Sequence, residues 1–329
     1  MEKLEKIIIS NFVTEIGIVL KNLPLYYQVF GKPIGKAPVV LVNHALTGNS
    51  QVTEENGWWK DLIGSNKTIN TNEFTILSFN IPGNGYDGLE ENLIHNYTHF
   101  TARDIAEIFW KGLEQLNVEN LFAVIGGSLG GGIAWEMAVI KPNAIENLIP
   151  IASDWKASDW VIANTLIQDG ILNSSNYPVH DARLHAMLLY RTPQSLKHKF
   201  NRQKNEIKNI FQIESWLFNH GEKLQKRFEL ASYKMMNHLI KTIDITRNRT
   251  DFVTVAGVIQ SNIHIIGVDT DYFFTADENR ETYEGLKKVK KNVFYHEIKS
   301  IHGHDAFLIE FEQLNAILSK LFITNNQAA

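Results

Sequence analysis

The 329-residue chain reads as an α/β domain, a mainly parallel sheet flanked by helices and interrupted by one helical insertion. Three observations predict this. Strand and helix patterns alternate between residues 74 and 151 and again from residue 263, whereas almost nothing strand-like occurs from about 155 to 249. A glycine-rich turn, Gly126-Gly127-Ser128-Leu129-Gly130-Gly131-Gly132, joins a strand pattern to a helix pattern in the first alternating stretch. Parallel strands need right-handed crossovers, and the intervening helices supply them.

In chain order, short apolar runs at Ile7–Ile9, Glu15–Leu20, Leu25–Phe30 and Val39–Val42 are broken by glycine and proline and predict strands, the early ones an antiparallel lead-in. Phe74–Phe79 is a buried-type strand. Thr101–Leu116 predicts a helix, with Ile105, Ile108, Phe109 and Leu116 at helical spacing. Leu121–Ile125 is a strand, Ile133–Ile140 a helix stopped near Pro142, and Leu148–Ile151 a strand. Asp181–Tyr190, Glu206–Phe228 and Leu230–Ile243 then read as consecutive helices, the second carrying an Ile213, Leu217, His220, Leu224, Phe228 stripe best explained by packing. Strand Ile263–Gly267, helix Glu278–Val289, strand Val293–Ile298 and helix Ala306–Leu321 complete the chain. The expected division is a core of residues 1–154 and 250–329 around an insertion of 155–249.

Composition narrows the chemistry. Apolar residues make up 44% and charged ones 21%, which excludes a disordered or fibrous chain. A net charge of −4 argues against nucleic acid as a partner. With no cysteine, disulfides, thiolate metal sites, iron–sulfur clusters and cysteine nucleophiles are all excluded. Met1-Glu2-Lys3-Leu4-Glu5-Lys6 leads into only three isoleucines, too short an apolar core for a signal peptide, and no 18-residue apolar run exists. The expectation is a cytoplasmic protein without a membrane partner.

Gly126-Gly127-Ser128-Leu129-Gly130 fits G-x-S-x-G between a strand and a helix. A serine on so tight a turn needs small neighbours, and it gains a hydroxyl held at the positive end of a helix beside free N–H groups. A glycine turn used only for close packing is the plainer alternative. The motif calls for an acid and then a histidine, each after a later strand. Asp269-Thr270-Asp271 follows one strand and His302-Gly303-His304-Asp305 the next. Periodicity leaves Asp269 and Asp271 in competition, the loser serving as a turn carboxylate. His302 and His304 also form an H-x-H pair, but no third metal ligand is suggested, so no metal is expected. The order Ser, Asp, His is that of the α/β-hydrolase fold, and the insertion falls where that fold carries its lid.

The N–H of Leu129, directly after the nucleophile, is the expected first oxyanion donor, with a second from Asn43-His44-Ala45-Leu46-Thr47-Gly48. His44 precedes the serine and reads as a structural histidine rather than a base. Gly83-Asn84-Gly85-Tyr86-Asp87-Gly88 matches G-x-G-x-x-G, but Glu90 and Glu91 would repel phosphates and the acid some 20 residues on, Asp104, lies in a helix. It reads as a flexible loop.

Asn43-His44-Ala45-Leu46-Thr47-Gly48, Gly126-Gly127-Ser128-Leu129-Gly130-Gly131 and Gly303-His304-Asp305-Ala306-Phe307-Leu308 resemble the homoserine O-acetyltransferase family. Thr270-Asp271-Tyr272-Phe273-Phe274 is similar to that family's acid-bearing turn and selects Asp271. Ala182-Arg183, Tyr190-Arg191-Thr192, Glu214-Ser215-Trp216-Leu217, Gly221-Glu222-Lys223 and Arg227-Phe228 match its insert in order, so the likeness spans about Val39 to Leu321. It implies a Ser128, Asp271, His304 triad, with oxyanion N–H groups from Leu46 and Leu129. It also implies an amino-acid acceptor held by Arg183, Tyr190 and Asp305. Residues 183 and 190 are seven apart, so on a helix they share nearly one face. An arginine suits a carboxylate and an aspartate an ammonium.

By the same resemblance, acetyl-CoA is a co-substrate rather than a bound cofactor, homoserine is the acceptor, and the protein is a homodimer through the lid. Two departures stand out. The loop Asn80–Gly88 is shorter than in the family and lacks its cysteine and Ser-Thr-Gly-Pro, which leaves acetyl or succinyl open as the donor group. Trp216 stands where tyrosine is common. An esterase on the same triad is the alternative function. Lys197, Lys199, Arg202, Lys204 and Lys208 read first as a solvated helix face and second as attraction for the phosphates of CoA.

Overall fold

The apolar alternation of the strands decides the architecture. In the computed structural model, which describes residues 3–322, Val39 and Leu41 point to one face of the central sheet and Val40 and Val42 to the other. Ile263 and Ile265 against Ile266 and Val268 repeat the pattern. Both faces are buried, as a parallel sheet requires. Met1, Glu2 and residues 323–329, which belong to the expected core segments, lie outside the described residues.

The chain opens with β1 (Glu5–Val13) and β2 (Val19–Gly31), a long antiparallel hairpin. The strand expected over Glu15–Leu20 is largely its turn. The Thr14 N–H donates to the Ile18 carbonyl, and Gly17 takes φ +85°, which glycine tolerates without strain. There follow β3 (Val39–Asn43), the two-residue strands β4 (Ile63–Gly64) and β5 (Ile69–Asn70), and β6 (Thr75–Phe79). Helix α1 (Ala102–Gln115) is started by a Thr101–Asp104 capping box. Strand β7 (Leu121–Gly127), α2 (Leu129–Ile140) and β8 (Ile145–Ile151) come next.

Six helices then separate β8 from the next sheet strand. They are α3 (Asp159–Ser174), α4 (Pro178–Tyr190), α5 (Pro193–Phe200), α6 (Gln212–Gln225), α7 (Leu230–Lys241) and α8 (Phe252–Gly257). Ser158, Thr192 and Asp251 cap α3, α5 and α8 by accepting main-chain N–H bonds. The two ends of this excursion lie side by side, Ala157 N–H donating to Ile243 O and Ile245 N–H to Trp155 O. A small hairpin, β9 (Lys204–Asn205) with β10 (Ile210–Phe211), occupies the start of the helix expected over Glu206–Phe228. Asn201, Arg202 and Asn209 all take positive φ, which stops a right-handed helix until Gln212. The basic run from Lys197 to Lys208 is therefore not one helix face.

The chain returns through β11 (Asn262–Val268), α9 (Ala276–Lys287) and β12 (Val293–Ile298), and ends on a 3-10 turn (Gly303–Leu308) and α10 (Phe311–Leu318). The expected single helix Ala306–Leu321 is thus split at Ile309–Glu310, where Glu310 accepts from the Ser300 hydroxyl at 2.6 Å. Strand order is β1-β2-β6-β3-β7-β8-β11-β12, antiparallel in the first two pairings and parallel thereafter. From β3 the chain goes outward to β6 and then crosses to β7 on the other side of β3. The C-terminal ends of β3 and β7 flank that switch, the place where open α/β sheets bind ligands. Among the described residues no helix is long and apolar enough to cross a membrane.

One carboxylate gives the fold a pH signature. Burial raises Asp154, just past β8, from about 3.8 to about 7, although its Oδ1 accepts from Trp155 N–H and the Thr282 hydroxyl, both at 2.8 Å. A carboxyl with a raised folded-state value stabilises the fold below its unfolded value and loses that contribution as pH rises through about 7. Asp154→Asn retains an acceptor for both donors. It should be more stable than wild type at pH 8 by about 1–4 kcal/mol, with the gap closing by pH 4, as urea unfolding at both pH values would show.

Candidate active site

Ser128 follows β7 with φ +54° and ψ −123°, a conformation L-residues seldom adopt. Its N–H donates to Ile151 O on β8, and its carbonyl receives the N–H groups of Gly131 and Gly132 at the start of α2. The glycines around it are required by contact. A Cβ on Gly126 would stand 2.4 Å from the Gly130 carbonyl carbon, one on Gly130 2.3 Å from Asn43 O, and one on Gly127 2.5 Å from the Phe307 ring. The turn holds only because β7 and α2 nearly touch.

The serine has a complete proton path. Its Oγ lies 3.0 Å from His304 Nε2, and His304 Nδ1 lies 2.7 Å from Asp271 Oδ2. The other Asp271 oxygen accepts the N–H groups of Phe273 and Phe274 at 2.7 and 3.1 Å. The carboxyl group is thereby fixed in orientation. All three side chains are buried. Asp269 takes the other role: it accepts the Ser300 N–H at 3.0 Å and lies 3.8 Å from Lys299, joining the ends of β11 and β12. The Thr270 hydroxyl donates to Ser300 O and accepts the Gly303 N–H, so the acid loop and the histidine loop are stitched together. Rings of Tyr190, Phe273, Phe274 and Phe307 surround the imidazole at 5.3–6.0 Å.

Gly130 packs on the Asn43–His44 backbone, which brings the loop after β3 against the start of α2. No acceptor among the described residues takes the N–H of Leu46 or Leu129, the two expected oxyanion donors. Both residues are buried. His44 Nδ1 bonds Ala45 O at 2.8 Å and Nε2 accepts the Ile81 N–H at 3.0 Å. Burial lowers its pKa to about 4, so it is a neutral brace between the two loops. The loop expected to be flexible is packed: side chains on Gly83 and Gly85 would collide with Met235 and Ser232 of α7, at 2.8 and 2.9 Å.

On the insertion side, Arg183 Cζ of α4 lies 5.7 Å from the Tyr190 ring centre, as their seven-residue spacing implies, and Tyr190 packs on His304. Burial pushes the Tyr190 phenol up to about 12, and its hydroxyl has no partner among the described residues. It is an uncharged group free to donate or accept. Asp305 is less free than the sequence suggested. Arg191 Nε donates to its Oδ2 at 2.8 Å while Arg191 Nη1 contacts His302 Nδ1 at 3.2 Å. His302 also bonds the Ser195 hydroxyl at 2.9 Å and so faces away from the relay. Among the described residues no three His, Asp or Glu side chains are grouped to hold a metal ion. Sequence reasoning placed Arg191 in the Tyr190-Arg191-Thr192 match but gave it no role.

The geometry makes Ser128 an activated nucleophile, which a fluorophosphonate probe tests without knowledge of the substrate. Labelling should vanish in Ser128→Ala and slow about 10³–10⁴-fold in Asp271→Asn, while Asp269→Asn should stay within about threefold of wild type. Time courses followed by mass spectrometry would check all three.

Comparison with known proteins agrees with this architecture. A sequence-family profile described as alpha/beta hydrolase fold matches residues 38–212. The homoserine O-acetyltransferase of Cyclobacterium marinum is 34% identical over 88% of this chain and 86% of its own length. The solved homoserine O-acetyltransferase of Bacillus anthracis superposes with a TM-score of 0.87 over 98% of both chains at 18% identity. Esterase E22 superposes with a TM-score of 0.85 over 98% of this chain and 100% of its own at 17% identity. Likeness at such identities bears on the fold alone, whereas the closer sequence match reaches further: the chain belongs to the homoserine O-acetyltransferase family of the α/β-hydrolase fold.

Proposed function

We propose that the protein is a homoserine O-acetyltransferase that carries the acyl group on Ser128. The observation that carries this reading is the junction of the Ser128–His304–Asp271 relay with Tyr190, which packs on the imidazole, lies beneath Arg183 and feels the charges of both Arg183 and Asp305. His304 Nε2 takes the Ser128 proton as Oγ attacks the acetyl-CoA carbonyl. The tetrahedral oxyanion is held by the N–H groups of Leu46 and Leu129. As the intermediate collapses, His304 returns the proton to the departing CoA thiolate. His304 then takes the homoserine hydroxyl proton, the alkoxide attacks the acyl-serine, and Ser128 is regenerated as its Oγ leaves and accepts that proton. Asp271 orients the imidazole and stabilises its cationic form in both halves.

Residues 155–249 act as the lid over this site. Arg183 pairs with the acceptor carboxylate and Tyr190 donates to it, while Asp305 shares its charge between Arg191 and the acceptor ammonium. The loop Asn80–Gly88 is packed against α7 and braced by His44, and the donor group of this reading is acetyl. The reading includes a cytoplasmic location. It also includes a homodimer through the lid, supported by α3, which turns Trp160, Ile162, Leu166 and Ile167 outward at 42–67% exposure. So apolar an outer helix face is unusual for a monomer.

Four outcomes are expected. Acetyl-CoA alone should leave one acetyl group on Ser128, seen by intact and peptide mass spectrometry after acid quench, and Ser128→Ala should show none. Homoserine should accelerate CoA release well beyond the rate with water or simple alcohols. Arg183→Ala and Asp305→Ala should each lose about 10- to 1000-fold of that acceleration while still acylating, since each strands one charge of the acceptor. Equal CoA release with homoserine and with water would replace the transferase by an esterase. Light scattering should give twice the chain mass for wild type and the single-chain mass for Leu166→Glu.

A further inference from the structure

Three cations on the lid, Lys199, Lys223 and Arg227, have no part in the acyl-transfer steps and stand beside Arg183 and Arg191, which do. Trp216 of α6 packs against Phe200 at 5.5 Å and His220 at 4.3 Å. Lys199 Nζ from the last turn of α5 lies 5.0 Å from its ring centre, and Arg191 Cζ 6.0 Å. Arg183, Lys199, Arg191 and Lys223 are all close enough to push His220 down to about 4, after burial as the first cause. Arg227, past the end of α6, donates to Thr47 O at 3.0 Å, and its pKa is lowered by burial and then by Arg183.

These positive charges lack counter-charges. Only Arg191 has a carboxylate, Asp305. Among the described residues Arg183, Lys199, Lys223 and Arg227 have no Asp or Glu oxygen within 4 Å. Gathering like charges around a half-buried indole costs free energy in the free protein, and a multivalent anion reverses the sign of that cost. The patch also begins at the reaction centre, because Arg183 lies over Tyr190 and Tyr190 on His304. Two other basic residues of the 197–208 run separate from it: Arg202 and Lys204 lie over Phe211 of the small hairpin instead.

We propose that the cationic patch around Trp216, with Lys199 and Lys223 at its outer side, binds the phosphate groups on the nucleotide end of the acyl donor. This rests on the acyl-CoA reading above and adds a site for the part of the donor remote from the reacting carbonyl. Binding there and not at the carbonyl means that its loss raises KM and spares kcat.

The test uses the full chain and the double variant Lys199→Gln/Lys223→Gln, with p-nitrophenyl acetate hydrolysis as a check that the site is intact. At low salt the KM for acetyl-CoA should rise about tenfold with kcat within about twofold, and the KM for acetyl-pantetheine, which lacks the nucleotide phosphates, should not change. An unchanged acetyl-CoA KM, or an equal rise for both thioesters, overturns the proposal. Calorimetric titration with 3′,5′-ADP reads the site without turnover and therefore separates this proposal from the acyl-transfer reading. Wild type should bind it and the double variant at least about tenfold more weakly, even in a protein that failed to turn over acetyl-CoA. No binding by wild type, or equal affinity for inorganic phosphate alone, overturns the assignment to a nucleotide.

Discussion

The backbone of Ser128 is the constraint on which the rest of the site depends. Holding an L-residue at φ +54° costs on the order of 1–3 kcal/mol, and the surroundings leave it no alternative. β7 and α2 come so close that Gly126 admits no Cβ, the end of β3 closes off Gly130, and Phe307 presses on Gly127. The same contact that strains the serine sets Gly130 against Asn43 and His44, and thus places the loop after β3 beside the N-terminus of α2. Ser128 and the loop that carries Leu46 are therefore positioned by one packing event. Relaxing it would cost both.

Around that point the fold converges four strand ends. β3 supplies Leu46, β7 supplies Ser128, β11 leads to Asp271 and β12 to His304. The loops are tied by short polar contacts rather than by apolar packing: His44 to Ile81, Thr270 to Ser300 and Gly303, and Asp271 to the N–H groups of Phe273 and Phe274. The insertion closes over them with aromatic and charged groups. Tyr190 reaches the imidazole itself, and Arg191 ties the Asp305 side chain to the insertion. Residues 304 and 305 are adjacent in sequence and face different partners, His304 the Ser128 hydroxyl and Asp305 the Arg191 guanidinium.

Much of this was legible in the sequence where the physics is local. The G-x-S-x-G spacing encodes steric necessity, so the tight strand-to-helix turn at Ser128 could be read from its neighbours alone. The strand patterns, buried on both faces, fixed a parallel sheet. The choice between Asp269 and Asp271 could not be read from periodicity, because both follow β11 and only tertiary contact with His304 tells them apart. Family resemblance supplied that choice. The helix expected from Glu206 failed because its apolar spacing also suits a hairpin, and the deciding information lay in left-handed Asn201, Arg202 and Asn209. Arg191 was overlooked because its partner Asp305 is remote in sequence. No local pattern marks an ion pair of that kind.

The central claim is that the acyl-serine at position 128 is built to be intercepted by an amino-acid hydroxyl ahead of water. The most direct measurement forms the acetyl-enzyme first, removes free acetyl-CoA by rapid filtration, and mixes the intermediate with homoserine in buffer. The partition between O-acetylhomoserine and acetate is then read by mass spectrometry. The account predicts that the amino-acid ester exceeds acetate by at least about tenfold at millimolar homoserine. Acetate as the main product, at a rate unaffected by homoserine, would contradict it.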